Sequence, residues 1–313
     1  MASGPRAFRF GVQVDRARTV TAWKDRARGA EALGYDILLM PDHFGPQFAI
    51  GPALAIAAEA TSTLRIGTLV WQNDLRHPAL VAQEAFTLDI LSGGRFELGI
   101  GAGGSIPGEY RRTGIPFDTA PVRVSRLHES VRVLKGLAAE DRFTFSGEHY
   151  TLAEYRAGLE PVQRPHPPLL IAAGGQRMLR LAAREADIIG VLPSMSAAGK
   201  GFAEDEVSLD ASRTKVDYIK SIAGERFASI ELNILIQMLE VTDNRHGAIE
   251  AARKHHGITN DAWFDSPMVY VGSVEEIANR MRTVRDRLGV SYFVIFEPVM
   301  EAFAPVVAAL AGH

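Results

Sequence analysis

The sequence predicts a (β/α)8 TIM barrel with insertions at its C-terminal face, built as a single domain over residues 1–313. Three observations predict it. Strand-like apolar runs alternate with helix-like segments along nearly the whole chain, the pattern of a parallel β/α structure. The strand-like runs number eight, which is the number that closes a barrel, and 313 residues slightly exceed the usual length of that fold. Several runs also end in polar or glycine-rich residues, as strands do where they feed an active-site face. An open doubly wound sheet is the rival arrangement.

The first strand reads Phe8 to Val14. The helix after it carries Val20, Trp23, Ala27, Ala30 and Leu33 on one face and stops at Gly34. The second strand, Tyr35 to Met40, contains Ile37, Leu38, Leu39 and Met40 without alternation, as expected of a strand buried on both faces. A helix over Pro52–Ala60 leads to the third strand, Leu64 to Trp71, and Pro78 opens the next helix at its first turn. Arg95 to Ile100 is the fourth strand. A polar insert follows, then a helix with Val124, Leu127, Val131, Leu134 and Ala138 at helical spacing. Phe143 to Leu152 reads as a hairpin turning at Ser146-Gly147. Pro168–Ala172 is the fifth strand, Gln176–Ala186 its helix, Asp187–Leu192 the sixth strand and Ile230–Val241 the seventh. The helix with Val274, Ile277, Met281, Val284 and Leu288 opens on a Ser273…Glu276 capping box and leads to the eighth strand, Ser291–Phe296. The extra length falls in inserts near 105–119, 139–167, 194–210 and 257–272. Inserts after barrel strands build the active-site face.

Composition narrows the function classes. Hydrophobic residues make up 47%, enough for a sizeable core. The formal net charge of −3 gives no basic footprint for nucleic acid. There is no cysteine, which excludes disulfides, thiolate metal sites and a cysteine nucleophile. Gly4, Pro5 and Arg6 interrupt any signal-peptide core in Met1–Phe10, and no apolar run approaches the roughly 20 residues needed to span a bilayer. A cytoplasmic enzyme or binding protein acting on a small molecule is the expectation.

The strand ends carry the chemistry. The second strand exits through Pro41 into Asp42 and His43. Histidine exchanges a proton near neutral pH, so His43 suits acid–base work, while a helix cap beside a surface histidine is the bland alternative. Gln13 ends the first strand, and the third runs into Trp71, Gln72, Asn73 and Asp74. An aromatic at a strand end, as Trp71 is, is more often core than a cofactor platform, but its neighbours here are polar. The fourth strand runs into Gly99–Gly104, which formally matches G-x-G-x-x-G. A dinucleotide fingerprint needs a helix opening at its glycines, and Ile106-Pro107-Gly108 predicts none here. Two readings stay open for Gly101 and Gly103: a tight strand exit, or close backbone approach to a ligand. Gly174, Gly175 and Gln176 join the fifth strand to a helix whose free N–H groups favour an anion, with Arg177 adding charge. An ordinary strand-to-helix turn is the alternative. No H-E-x-x-H or comparable spacing suggests a metal.

Taken together, G-Y-D-I-L-L-M-P-D-H-F at 34–44, L-R-I-G-T-L-V at 64–70, H-P-A-L-V-A-Q-E-A at 77–85, L-S-G-G-R-F-E-L-G-I-G-A-G at 91–103 and P-L-L-I-A-A-G-G at 168–175 resemble the bacterial luciferase-like superfamily, over about residues 8 to 300. The resemblance implies a (β/α)8 barrel with an insertion after strand seven, often dimeric. It is nearest to the branch using coenzyme F420, a deazaflavin, and similar to the deazaflavin-dependent glucose-6-phosphate dehydrogenases. It implies His43 as the acid–base residue, Asp42 as a cofactor contact, and Gly174 and Gly175 at the cofactor phosphate; Asn73 and Gln176 are further candidate cofactor contacts. It places a non-prolyl cis bulge at Leu69-Val70, behind the cofactor's tricycle; Gln13 and Trp71 are expected to line the substrate pocket. The dehydrogenases of that branch have a glutamate after the strand-four glycines. Here Gly104 stands at the matching place, with Glu109 nearby, which puts a sugar-phosphate substrate in doubt. Lys200 reads as a solvated loop lysine, with contact to an anionic substrate or cofactor tail as the alternative. An FMN-dependent monooxygenase and a non-catalytic flavin-binding barrel are the alternatives.

Overall fold

Runs buried on both faces pair in parallel and are covered by helices, and these do so. The computed structural model describes residues 5–104, 106–196 and 201–312. In chain order the strands are β1 (Arg9–Gln13), β2 (Ile37–Met40), β3 (Arg65–Thr68), β4 (Trp71–Gln72), β5 (Phe96–Gly101), β6 (Phe143–Ser146), β7 (Thr151–Tyr155), β8 (Leu169–Ala173), β9 (Ile188–Val191), β10 (Glu231–Leu235), β11 (Met238–Val241), β12 (Val269–Gly272) and β13 (Val290–Phe296). The helices are α1 (Val20–Ala32), α2 (Ile50–Ala60), α3 (Pro78–Leu91), α4 (Pro107–Thr113), α5 (Ala120–Ala139), α6 (Gln176–Glu185), α7 (Leu209–Ala223), α8 (Arg245–His256), α9 (Val274–Leu288) and α10 (Met300–Leu310).

Strands β1, β2, β3, β5, β8, β9, β10 and β13 close into a parallel barrel, β13 returning to pair with β1. The doubly wound rival is therefore set aside. At the mouth, Gln13 of β1 stands in register with Leu39 on one side and Phe296 on the other. Two apolar shells hold the barrel. The outer one packs strands on helices and includes Phe10, Trp23, Phe96, Phe293 and Phe303. The inner one joins Ile37, Leu39, Leu170, Ile188, Tyr292 and Val294, with Leu69 and Val70 packed against it. The strand starts close the opposite end with charge. Arg9 donates to Glu97 and Glu231, each at 2.5 Å, and its guanidinium lies 4.5 Å from the Tyr292 ring centre. Arg65 Nε donates to the same Glu97 oxygen at 2.5 Å.

Four expectations need correction. The third strand does not run unbroken to Trp71: a cis Leu69-Val70 peptide interrupts it, and β4 resumes the pairing with Trp71 opposite Ile100. The seventh does not run from 230 to 241. It leaves the barrel after Leu235, and β11 pairs in parallel with β12 in a separate two-stranded sheet. A helix does open soon after the strand-four glycines, because Pro107 occupies its first turn, where the missing N–H is no loss. Helix α7 starts within the expected 194–210 insert, its N-cap Ser208 accepting from the Ala211 N–H. Among the described residues, no helix is long and apolar enough to cross a membrane.

Candidate active site

The exit of β2 is braced before it is reactive. Asp42 is buried and both its carboxylate oxygens are engaged. It accepts the Gln72 N–H at 2.9 Å and a two-pronged pair from Arg76, while the Gln72 side-chain amide donates to the Asp42 carbonyl. Asp42, expected as a cofactor contact, ties the β2 exit to the β4 exit. A bidentate Arg–carboxylate pair of this kind fixes geometry as well as charge.

One residue further, His43 is about one-third exposed on its side chain, and its Nδ1 lies 3.1 Å from Glu109 Oε2. The other Glu109 oxygen accepts the Phe44 N–H at 3.1 Å. Glu109 is buried, in the first turn of α4, where a carboxylate suits the helix dipole. A carboxylate at Nδ1 keeps the ring proton there and leaves Nε2 as the nitrogen that exchanges one. Sequence reasoning noticed Glu109 without placing it. The signal available was an acid in the first turn after a helix-opening proline, Pro107.

The loop carrying Glu109 is pinned from below. Tyr110 accepts the Gly104 N–H at 2.9 Å and donates to Asp74 Oδ2 at 3.1 Å, and Asp74 accepts from Arg126 at 2.8 Å. Burial and the neighbouring Asp74 push the Tyr110 phenol up to about 12. Burial also raises the Asp74 carboxyl, against the pull of Arg126 and Tyr110. None of Gln72, Asp74, Arg76 or Tyr110 was singled out from the sequence as a site residue. The glycines of this exit have steric reasons inside the chain. A Cβ on Gly101 would sit 2.8 Å from Val70 Cγ2, and one on Gly103, whose φ is +74°, would strike the Tyr110 hydroxyl. Their presence is thus explained by packing under Leu69-Val70 and over Tyr110.

The other expected residues divide. Leu69 and Val70 are half-buried and cap the inner shell. Gln13 carries a buried Oε1 with no partner, and Asn73 has a buried Oδ1 with none although its Nδ2 donates to Tyr150 at 3.3 Å. A bound group with N–H or O–H donors would satisfy such acceptors. Trp71, expected to line the substrate pocket, is fully buried in the outer shell, 5.9 Å from Phe96 between ring centres. Gly174 sits where the β8 and β9 exits nearly touch, so that a Cβ would come within 2.6 Å of the Pro193 carbonyl oxygen. Its own carbonyl accepts Lys215 Nζ at 2.6 Å. Gly175 is the N-cap of α6 and brings no side-chain cap, and the first turn holds no acid, so the helix start keeps its free N–H groups. Gln176 is exposed beside them. These features fit the phosphate of a cofactor. Lys200 lies outside the described residues.

The rim is apolar. Phe44, Ile106, Phe117, Met195 and Phe296 follow or end barrel strands and are exposed. A cavity of about 850 Å³ opens at the ends of β10 and β13, with Ile236, Leu239, Ile295 and Phe296 on its apolar side and Gln237, Glu240, Lys254 and His255 on its polar side. Among the described residues, no group of three or more His, Asp or Glu side chains is placed to hold a metal ion.

A family model described as luciferase-like monooxygenase matches residues 7–215. An F420-dependent glucose-6-phosphate dehydrogenase of Kineococcus radiotolerans is 32% identical over 219 residues, 67% of this chain and 62% of that protein. The chain thus matches less than two thirds of that relative's length, and about half the length of other curated glucose-6-phosphate dehydrogenases such as those of Intrasporangium calvum (51%) and Amycolatopsis mediterranei (49%). Among solved structures, the coenzyme F420 dependent tetrahydromethanopterin reductase from Methanopyrus kandleri superposes with a TM-score of 0.79 at 17% identity, over 98% of this chain and 99% of that one. An F420-dependent secondary alcohol dehydrogenase in complex with an F420-acetone adduct gives 0.77 at 22% identity, over 97% and 98%. By the extent of the family match, this chain belongs to the luciferase-like monooxygenase family.

Proposed function

We propose that the protein is an oxidoreductase that transfers hydride between the deazaflavin coenzyme F420 and a small organic substrate, with His43 as the acid–base group. One observation carries this: a histidine at the barrel mouth whose Nδ1 rests on a buried carboxylate, Glu109. When bound, a deazaflavin supplies two-electron hydride chemistry, and the protein supplies orientation and proton transfer. Leu69 and Val70 would back its ring system, and Gly174, Gly175 and the start of α6 would hold its phosphate. Gln13 and Asn73 would offer their unpartnered oxygens to donors of the bound pair. Glu109 keeps the His43 ring oriented, so that Nε2 takes or gives the proton at the substrate oxygen or carbon as hydride moves. The apolar rim supports an organic alcohol or carbonyl compound over a sugar phosphate.

We also take the protein to be a cytoplasmic homodimer. Leu80 and Leu91 of α3 are 58% and 62% exposed, which suits a face covered by a second copy. Fluorescence titration with F420 and FMN in parallel tests the cofactor: micromolar or tighter F420 binding with weak FMN binding supports the reading, and the reverse overturns it. His43→Ala should lower turnover by about 10²–10⁴ while sparing cofactor binding. Undiminished turnover would remove His43 from its role. The family description supports a second reading, an FMN-dependent monooxygenase, which oxygen consumption with a flavin reductase would reveal.

A further inference from the structure

Helix α6 carries an unbalanced charge next to the glycine turn. Arg177, Arg180 and Arg184 line one groove with His128 and Ser125 of α5, a cavity of about 380 Å³. None of the three arginines forms an ion pair among the described residues, and Arg180 Nε donates only to a neutral group, the Tyr218 hydroxyl, at 3.3 Å. The one carboxylate in the groove, Glu185, is already held by Lys135 Nζ at 2.8 Å. Cations spaced three and four residues apart on a helix repel one another. Arg177 also stands in the first turn, where the helix dipole disfavours a cation and where no acid or side-chain cap offsets it. Arg184, in the last turn, suits the helix dipole, but local stability gives no reason for Arg177 and Arg180. An anionic ligand would give one.

The groove has a direction. Gln176 and Arg177 at its upper end directly follow Gly174-Gly175, and Arg184 lies seven residues further along α6, about 10 Å down the helix. An anion entering at the helix start can therefore continue along the arginines. We infer that this groove holds an acidic chain carried beyond the cofactor's phosphate, the oligoglutamate tail of F420, with Arg180 and Arg184 pairing its carboxylates. The inference rests on the functional reading above. It assigns binding energy and cofactor choice to residues outside the barrel mouth, because FMN ends at its phosphate and has nothing to place there.

The test is fluorescence titration of the full chain with three deazaflavins: one lacking glutamates but keeping the phosphate, one with two glutamates and one with five or six. The wild type should bind the longest form about tenfold more tightly than the glutamate-free form at low salt, a gain of the size expected for a few exposed ion pairs. That gain should shrink strongly in about 0.5 M salt. In Arg180→Gln/Arg184→Gln, which spares Arg177 beside the phosphate, the dependence on tail length should fall about fivefold while the helical circular dichroism stays the same. Equal binding of all three forms by the wild type, or an unchanged tail dependence in the variant, overturns the inference and leaves the F420 reading standing. If no deazaflavin binds while FMN does, the functional reading has failed and the groove assignment falls with it.

Discussion

Gly174 and Gly175 are adjacent, yet alanine should affect them very differently. At Gly174 a Cβ would lie 2.6 Å from the Pro193 carbonyl oxygen, 3.0 Å from its carbon and 3.2 Å from Ser194 Cα, all backbone atoms that no rotamer change can move. An ordinary carbon-to-oxygen contact needs about 3.4 Å, so the β8 and β9 exits must part by about 0.7–0.8 Å. Overpacking of that kind costs about 1–3 kcal/mol, which a thermal melt should show as a fall of several degrees in Tm. The same displacement opens a hydrogen bond of about 2.9 Å to about 3.6 Å, where it no longer counts as one. Losing one bond to a charged phosphate is worth about 1.5–3 kcal/mol, or about 10- to 100-fold in Kd. At Gly175 the nearest atom to a Cβ is Ser194 Oγ at 4.0 Å, and alanine should leave Tm within a degree or so of wild type. The assays are thermal denaturation and F420 titration, with the phosphate-free deazaflavin nucleoside as control. Its affinity should not change in Gly174→Ala. If Gly174→Ala melts and binds F420 like the wild type, the contact between the two exits does not position the phosphate site.

Glu109→Gln keeps an acceptor for the Phe44 N–H but presents an amide to His43 Nδ1, favouring the wrong tautomer. Turnover should fall by about 10²–10⁴ with F420 affinity retained, as steady-state kinetics and titration would show. Arg9→Met leaves Glu231 without its cation while Glu97 keeps Arg65, and should cost about 3 kcal/mol in urea denaturation. The Thr63 amide first, with those of Leu64 and Ser62, holds the Glu31 carboxyl down to about 2. The stabilisation is then complete above the unfolded value of about 4.3 and is lost as pH falls toward 2. Glu31→Gln should therefore flatten the stability profile across that window, measured by acid-dependent melts.

The barrel strands were legible because a parallel sheet buried on both faces leaves unbroken apolar runs, as in Ile37–Met40 and Ile188–Val191. The capping box at Ser273 and Glu276 is a local device, and it forms as read. What escaped depends on contacts between segments far apart in sequence. Glu109 gains its meaning only when α4 folds back over the β2 exit, 66 residues away in the chain. Asp42 looked free for a ligand because nothing local shows that Gln72 and Arg76 will claim it. Trp71 follows the irregular Leu69-Val70 link, and the side of the barrel wall it faces cannot be counted from strand alternation across that break.

The division of the His43–Glu109 pair between two loops limits how this barrel can be re-engineered. The loops after barrel strands are natural units for exchange between relatives when a new substrate is wanted. Here the segment between β5 and α5 bears Phe117 of the apolar rim and also the carboxylate that orients the imidazole. Under the proposed function, grafting that segment whole would transplant selectivity and proton handling together. A donor loop without an acid in the place of Glu109 would leave His43 with an undefined tautomer, however well the new rim fits. Changes of substrate are better sought at Phe44, Met195 and Phe296, which lie outside that segment.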